Sequence, residues 1–135
     1  MSMIRRTFLI AAVMMSSHVP ASTLVVSCDG GSINGSRTEI SSAGSSISDD
    51  RVTLSSITYH FDEPKNGAVR IVYEGKEVLG LKLADRSTHK TVAYLLGGVS
   101  FLDTIHLKEG VVLSTEHKNL GAPVATTWRL ACSKK

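Results

Sequence analysis

The stretch Val124-Ala125-Thr126-Thr127-Trp128-Arg129-Leu130-Ala131-Cys132 decides the fold. It alternates strictly. Val124, Thr126, Trp128, Leu130 and Cys132 point one way; Ala125, Thr127, Arg129 and Ala131 point the other. A period of two marks a strand with one buried face. The face predicted to be buried carries the only Trp of the chain and one of its two cysteines. The other cysteine, Cys28, closes a second β-prone run at residues 23–28. The two runs are expected to lie side by side, joined by a Cys28–Cys132 disulfide, with the chain between them folded as antiparallel strands. The alternative is a pair of buried free thiols.

Between the two cysteines, runs suited to strands recur every nine to twelve residues or so. They fall at residues 51–61, 68–74, 77–84, 91–96, 99–107 and 111–117, and each is followed by a turn signal. Ser55-Ser56 switches the apolar parity from Val52 and Leu54 to Ile57, Tyr59 and Phe61, which predicts a bulge or bend. Glu74-Gly75-Lys76, Gly97-Gly98 and Lys108-Glu109-Gly110 read as turns, as do residues 62–67 with Pro64 and Asn66-Gly67. Asp103-Thr104 reads as a candidate interruption of its strand. Residues 29–50 are rich in Ser and Gly, with Asn34-Gly35 as a turn pair and Ile40 anchoring at most a short strand around residues 37–42; residues 41–48 read as a mobile loop or weak edge. No window holds apolar residues at helical spacing over three turns. The spacing predicts an all-β domain, an antiparallel up-and-down barrel of about eight strands, with a two-sheet β-sandwich as the alternative.

The amino terminus reads as a cleaved export signal over residues 1–21: Arg5 and Arg6, then the apolar run 7–15, a polar break, and small or apolar residues before a cut after Ala21. That run is too short to span a bilayer. Arg5-Arg6 also resembles a twin-arginine signal. Val25-Val26-Ser27-Cys28 resembles a lipobox, which would make the protein a lipoprotein anchored through Cys28. The expected location is extracytoplasmic, periplasmic or secreted, with no transmembrane segment in the mature chain. Removing twenty-one of the 135 residues leaves 114, enough for a single domain over residues 22–135. The whole chain has 15 basic and 12 acidic residues, so losing Arg5 and Arg6 lowers the net charge from +3 to +1. Nucleic-acid binding needs a concentrated positive face, and the basic residues here are scattered among acids.

No catalytic motif is present. Gly31-Ser32-Ile33-Asn34-Gly35 lacks the spacing of a nucleophile elbow. A metal would draw on His60, His89, His106 and His117. A two-residue Glu109-Gly110 loop would set His106 opposite Leu113, Asp103 opposite Glu116 and His117 near Leu102, which does not converge the histidines. Asp49-Asp50 and Asp62-Glu63 are adjacent acids in turns, not a pair held across a cleft. No cofactor is implied. Trp128, Tyr59, Phe61, Tyr73, Tyr94 and Phe101 are expected in the core. In a hollow barrel they would line a cavity beside Leu79, Leu81 and Leu83.

The outline resembles the periplasmic inhibitors of c-type lysozyme in size, leader and cysteines near both ends. Their S-G-x-x-Y motif does not occur here, and the lipocalin G-x-W near a first strand is likewise missing. The likeness is one of architecture and carries over no functional residue. The expected function is binding rather than catalysis. One reading is a small apolar ligand held by Tyr59, Tyr73 and Trp128. The alternative is an envelope protein, such as an enzyme to be inhibited, gripped by loops at residues 41–50 or 62–67. A third reading, a hydrolase, would need His60, Asp62 and a further polar group to converge.

Overall fold

A computed structural model describes residues 24–61, 68–119 and 121–135. The expected leader and its cleavage site, and the loop 62–67, lie outside the described residues. Among the described residues there are ten antiparallel strands: β1 (Leu24–Cys28), β2 (Gly31–Ser41), β3 (Gly44–Leu54), β4 (Ile57–Phe61), β5 (Ala68–Tyr73), β6 (Lys76–Asp85), β7 (His89–Leu96), β8 (Val99–His106), β9 (Val111–Asn119) and β10 (Pro123–Lys134). The sheet runs β1-β4-β5-β6-β7-β8-β9-β10-β2-β3, and β1 also pairs with β10. Eight strands therefore close a barrel, and β2–β3 form an extra hairpin.

Closure rests on the two cysteine strands. Cys28 lies directly opposite Cys132, Ser27–Ser133 and Val26–Lys134 continue the pairing, and backbone bonds from Asp29 N to Ala131 O and from Lys135 N to Val25 O extend it. The two sulfurs are bonded. As the alternation predicts, Val124, Thr126, Trp128 and Leu130 are buried, while Thr127, Arg129 and Ala131 are exposed. Cys132 sits half-buried against the core.

Residues 29–50 correct the sequence reading. Instead of a loop they hold most of two eleven-residue strands, paired from Gly31–Leu54 to Ser41–Gly44. The β1–β4 and β2–β3 pairings share one register, so residues 24–61 form a single long hairpin interrupted at Asp29-Gly30 and Ser55-Ser56. Its first half is barrel wall. Its second half is an arm, attached where Gly35–Glu39 of β2 pairs with Val124–Trp128 of β10. The residues are polar because both faces of most of the arm meet water; the backbone ladder does not need apolar side chains to form.

A second correction concerns β6. Leu79, Leu81 and Leu83 point outward and are 73%, 58% and 56% exposed. The cause is the turn before them. Glu74 and Gly75 both take positive φ, 49° and 71°, as a two-residue hairpin turn of the primed type requires. Tyr73 then pairs with Lys76, Ile71 with Val78 and Val69 with Gly80. With Val69 and Ile71 inside, Val78 and Gly80 must also face in and the leucines out. Gly80 is needed at its place, since a Cβ there would lie 2.5 Å from Val92 Cγ1 and 2.9 Å from Ile71 Cδ1.

The β8–β9 connection is the third correction. The loop has four residues, Leu107 to Gly110, and His106 pairs with Val111, Asp103 with Ser114 and His117 with Ser100. Asp103 does not interrupt β8; it is a fully buried part of it.

The two barrel ends differ. At the end where β6 passes to β7, Asp85 receives hydrogen bonds from Lys82 and Lys90, and the Lys90 ammonium stands 5.6 Å from the centre of the Phe61 ring. These two ammonium groups hold the Asp85 carboxyl down to about 2. The other end carries the turns at Gly75 and Gly97-Gly98 and the base of the arm.

Candidate functional site

The inward parity of each strand places the site. Ile57, Tyr59 and Phe61 of β4 face in, as do Tyr94 of β7, Phe101 and Asp103 of β8, Ser114 of β9, and Trp128 and Leu130 of β10. Cross-strand pairing lines up Val92, Asp103, Ser114, Trp128 and Gly35 in one row around the wall from β7 to β2. At the end of that row a Cβ on Gly35 would lie 2.4 Å from Trp128 Cε3, so the indole occupies the space a side chain would need.

At the arm end of the barrel several of these residues border a cavity of about 100 Å³, which Phe61, Val92, Asp103 and Gly35 do not line. Tyr59, Tyr73 and Trp128, singled out in the sequence, all line it, with Tyr94, Phe101 and Ser114 among the other walls. Tyr94 and Phe101 stack with ring centres 5.0 Å apart. Leu79, Leu81 and Leu83 do not reach it. Leu54 and Ser55, at the foot of the arm, complete one side, and Glu116 lies at another.

Beneath the cavity lies a polar cluster. Tyr59 and Tyr94 both donate to Asp103 Oδ2, at 2.6 and 2.7 Å. Asp103 Oδ1 and Thr126 Oγ1 make no hydrogen bond of good geometry among the described residues. Burial raises the Asp103 carboxyl above its ordinary range, while Ser114, Tyr59 and Tyr94 pull it the other way. Burial, and then the Asp103 charge, push both phenols well above theirs, so both stay protonated. Asp103 and Ser114 were missed in the sequence. A signal existed: Phe101, Asp103 and Ile105 share one parity, so a carboxyl there must be buried and partnered if the strand runs unbroken.

The remaining candidate residues do not join this site. His60 is half-buried on β4 at a position of the outward parity, opposite Arg70 and Val25. Asp62, its proposed partner in the hydrolase reading, lies outside the described residues. His89 and His106 pair across β7 and β8 with rings 6.1 Å apart, a neighbourhood the sequence reading did not find. Among the described residues no three His, Cys, Asp or Glu are placed to share a metal ion. Also among them, no helix is long and apolar enough to cross a membrane, which leaves strands unaddressed. Compared with known families, curated proteins and solved structures, the chain matches none.

Proposed function

We propose that the protein is an exported binding protein whose barrel mouth holds a small apolar ligand. The observation that supports this reading is the cavity in which Tyr59, Tyr73 and Trp128 meet. An apolar cavity of about 150 Å³ can hold benzene. One of about 100 Å³ at a barrel mouth suits a single ring or a short aliphatic segment. Export is supported by a disulfide, which persists in oxidising compartments. The test is a titration with toluene, read by fluorescence of Trp128, the only Trp of the chain. Saturable change in emission together with a rise in Tm supports the reading; neither change up to the solubility of toluene refutes it.

A second reading, a module that grips an envelope protein, is favoured by the arm. Among the described residues its outer strand β3 is last in the sheet and pairs only with β2. Ile40 on β2 and Ile47 on β3 stand 54% and 76% exposed. Strand edges of this kind add a partner strand. Replacing Ile40 and Ile47 by Ser separates the two readings, because it leaves the toluene titration unchanged and weakens only a contact made through the arm.

A further inference from the structure

Six leucines left exposed among the described residues lie together on the outer wall of the barrel. Leu79, Leu81 and Leu83 stand on β6, Leu95 on β7, Leu102 on β8 and Leu113 on β9. The last three are 69%, 40% and 42% exposed. Cross-strand pairing sets Leu81 beside Ala93, Ala93 beside Leu102, Leu95 beside Ser100 and Leu113 beside Thr104, so they belong to one continuous face. The outward positions between the leucines are Thr91, Ala93, Ser100, Thr104 and Thr115, none of them charged. The threonines ask little of a partner: Thr91 and Thr104 bond to each other at 3.1 Å, and Thr115 bonds Thr127 at 3.3 Å. Charge returns at the border. Arg70 pairs with Glu77 at 3.2 Å along one side, Arg129 stands exposed beyond Leu113 on the other, and Lys82 with Asp85 marks one end at 2.8 Å. An apolar centre depleted of charge inside a polar rim is how protein–protein contacts are built.

We propose that this face is where two copies of the chain associate, wall against wall about a two-fold axis. The choice of partner follows from the chemistry. A foreign protein is selected largely through charge, and the centre of this face has none. An isologous contact needs no separate complement, because each copy brings the same surface. A bilayer fits less well. The leucines cover β6 to β9 only, whereas a barrel that spans a membrane needs an apolar band all round. The rim carries Arg70–Glu77 and Lys82–Asp85 as neutral pairs rather than the basic cluster that anionic headgroups attract. Four strands about 4.8 Å apart, with residues about 3.4 Å apart along each, give a leucine-bearing area of about 14 by 14 Å at the backbone. With its border the face offers on the order of 400 Å² per copy, so the pair falls below the size of stable complexes. The dimer is therefore weak and reversible. It leaves the mouth of the barrel and the β3 edge open, and it is independent of what the cavity holds.

The test is sedimentation equilibrium of the full chain from micromolar to millimolar concentration, where a single monomer–dimer equilibrium is expected. Replacing Leu81 and Leu102 together by Ser removes two leucines from each copy. Association should weaken at least about tenfold, with Trp128 emission unchanged. A chain that stays monomeric at millimolar concentration overturns the proposal. So does a dimer that survives the Leu81→Ser, Leu102→Ser change, or one that is lost instead when Ile40 and Ile47 are replaced by Ser, which would put the contact on the arm. Phosphatidylcholine vesicles are the second probe. Co-sedimentation of the native chain with them, abolished by the leucine changes and without self-association, would give the face to lipid and overturn the proposal as well. If the double variant fails to fold, Leu95→Ser alone should weaken association several-fold, and an unchanged dissociation constant counts against the two-copy contact.

Discussion

Reducing the Cys28–Cys132 bond should cost this protein about 4–5 kcal/mol, a large part of a small domain's whole stability. The bond joins residues 104 apart in sequence, so it closes nearly the full described chain into one loop. In the chain-entropy model a loop of about one hundred residues is worth about 4.7 kcal/mol, mostly by restricting the unfolded chain. In the folded state β1 and β10 share three paired positions, extended by backbone bonds from Asp29 N to Ala131 O and from Lys135 N to Val25 O. The assay is urea unfolding of the oxidised and reduced protein, followed by Trp128 fluorescence. With a slope near 1.5 kcal/mol per molar, the midpoint should fall by about 3 M on reduction. The slope should also rise slightly, since a reduced chain expands further when it unfolds. Equal midpoints would refute the reasoning, as would two titratable thiols in the purified native protein.

Three further outcomes test the packing and the buried carboxyl. Gly35→Ala should cost about 1–3 kcal/mol and shift Trp128 emission, because the new methyl meets the indole; an unaltered spectrum would place the ring elsewhere. Leu81→Ala should change stability by no more than about 0.5 kcal/mol, whereas Ile71→Ala should cost about 2–5 kcal/mol. Comparable losses at the two positions would mean that β6 faces the other way. Burial raises the folded Asp103 carboxyl above its unfolded value near 3.9, so the folded chain keeps a proton that the unfolded chain has already released. That contribution is complete below the unfolded value and is lost as pH rises through the folded one. The stability of the native protein relative to Asp103→Asn should therefore decline from pH 4 upward in paired urea titrations, and a relative gain with pH would show that the hydroxyls outweigh burial.

Much of the barrel was legible because alternation is a local property. The period of two from Val124 to Cys132 gave the inner face of β10, and the parity change at Ser55-Ser56 marked where β3 gives way to β4. Parity was also available for β6 but was not used: a two-residue turn at Glu74-Gly75 links odd residues before it to even residues after it, which turns Leu79, Leu81 and Leu83 to water. Apolar character alone suggested the reverse. The arm at residues 29–50 was illegible for a different reason. A strand with water on both faces carries no side-chain alternation, and only its backbone pairing with β3 and β10 reveals it. The loop after β8 shows a third kind of limit. Gly110 marks the turn, but a four-residue loop slides the register by two positions relative to a two-residue one. A slide of two keeps every side chain on its face and changes only which neighbours meet. The burial expected of β9 was therefore unaffected, while Asp103 gained Ser114 instead of Glu116 as its opposite.

That distinction explains how much of the site could be read. Tyr59, Tyr73 and Trp128 were accessible one strand at a time, because facing inward near one end is set by parity and position. The Asp103 cluster needed β4, β7, β8 and β9 in register at once, and no single segment encodes that. The ends of the barrel give the site its direction. Asp85 with Lys82 and Lys90 occupies one end, where the void left beside β1 and β10 is only about 10 Å³. The other end keeps a cavity ten times that size, with the foot of the arm, Leu54 and Ser55, forming part of its wall. Whatever moves the arm against the barrel must therefore move a wall of the cavity. The edge contact proposed for β3 and the ligand cavity proposed between Tyr59 and Trp128 therefore share that structural element.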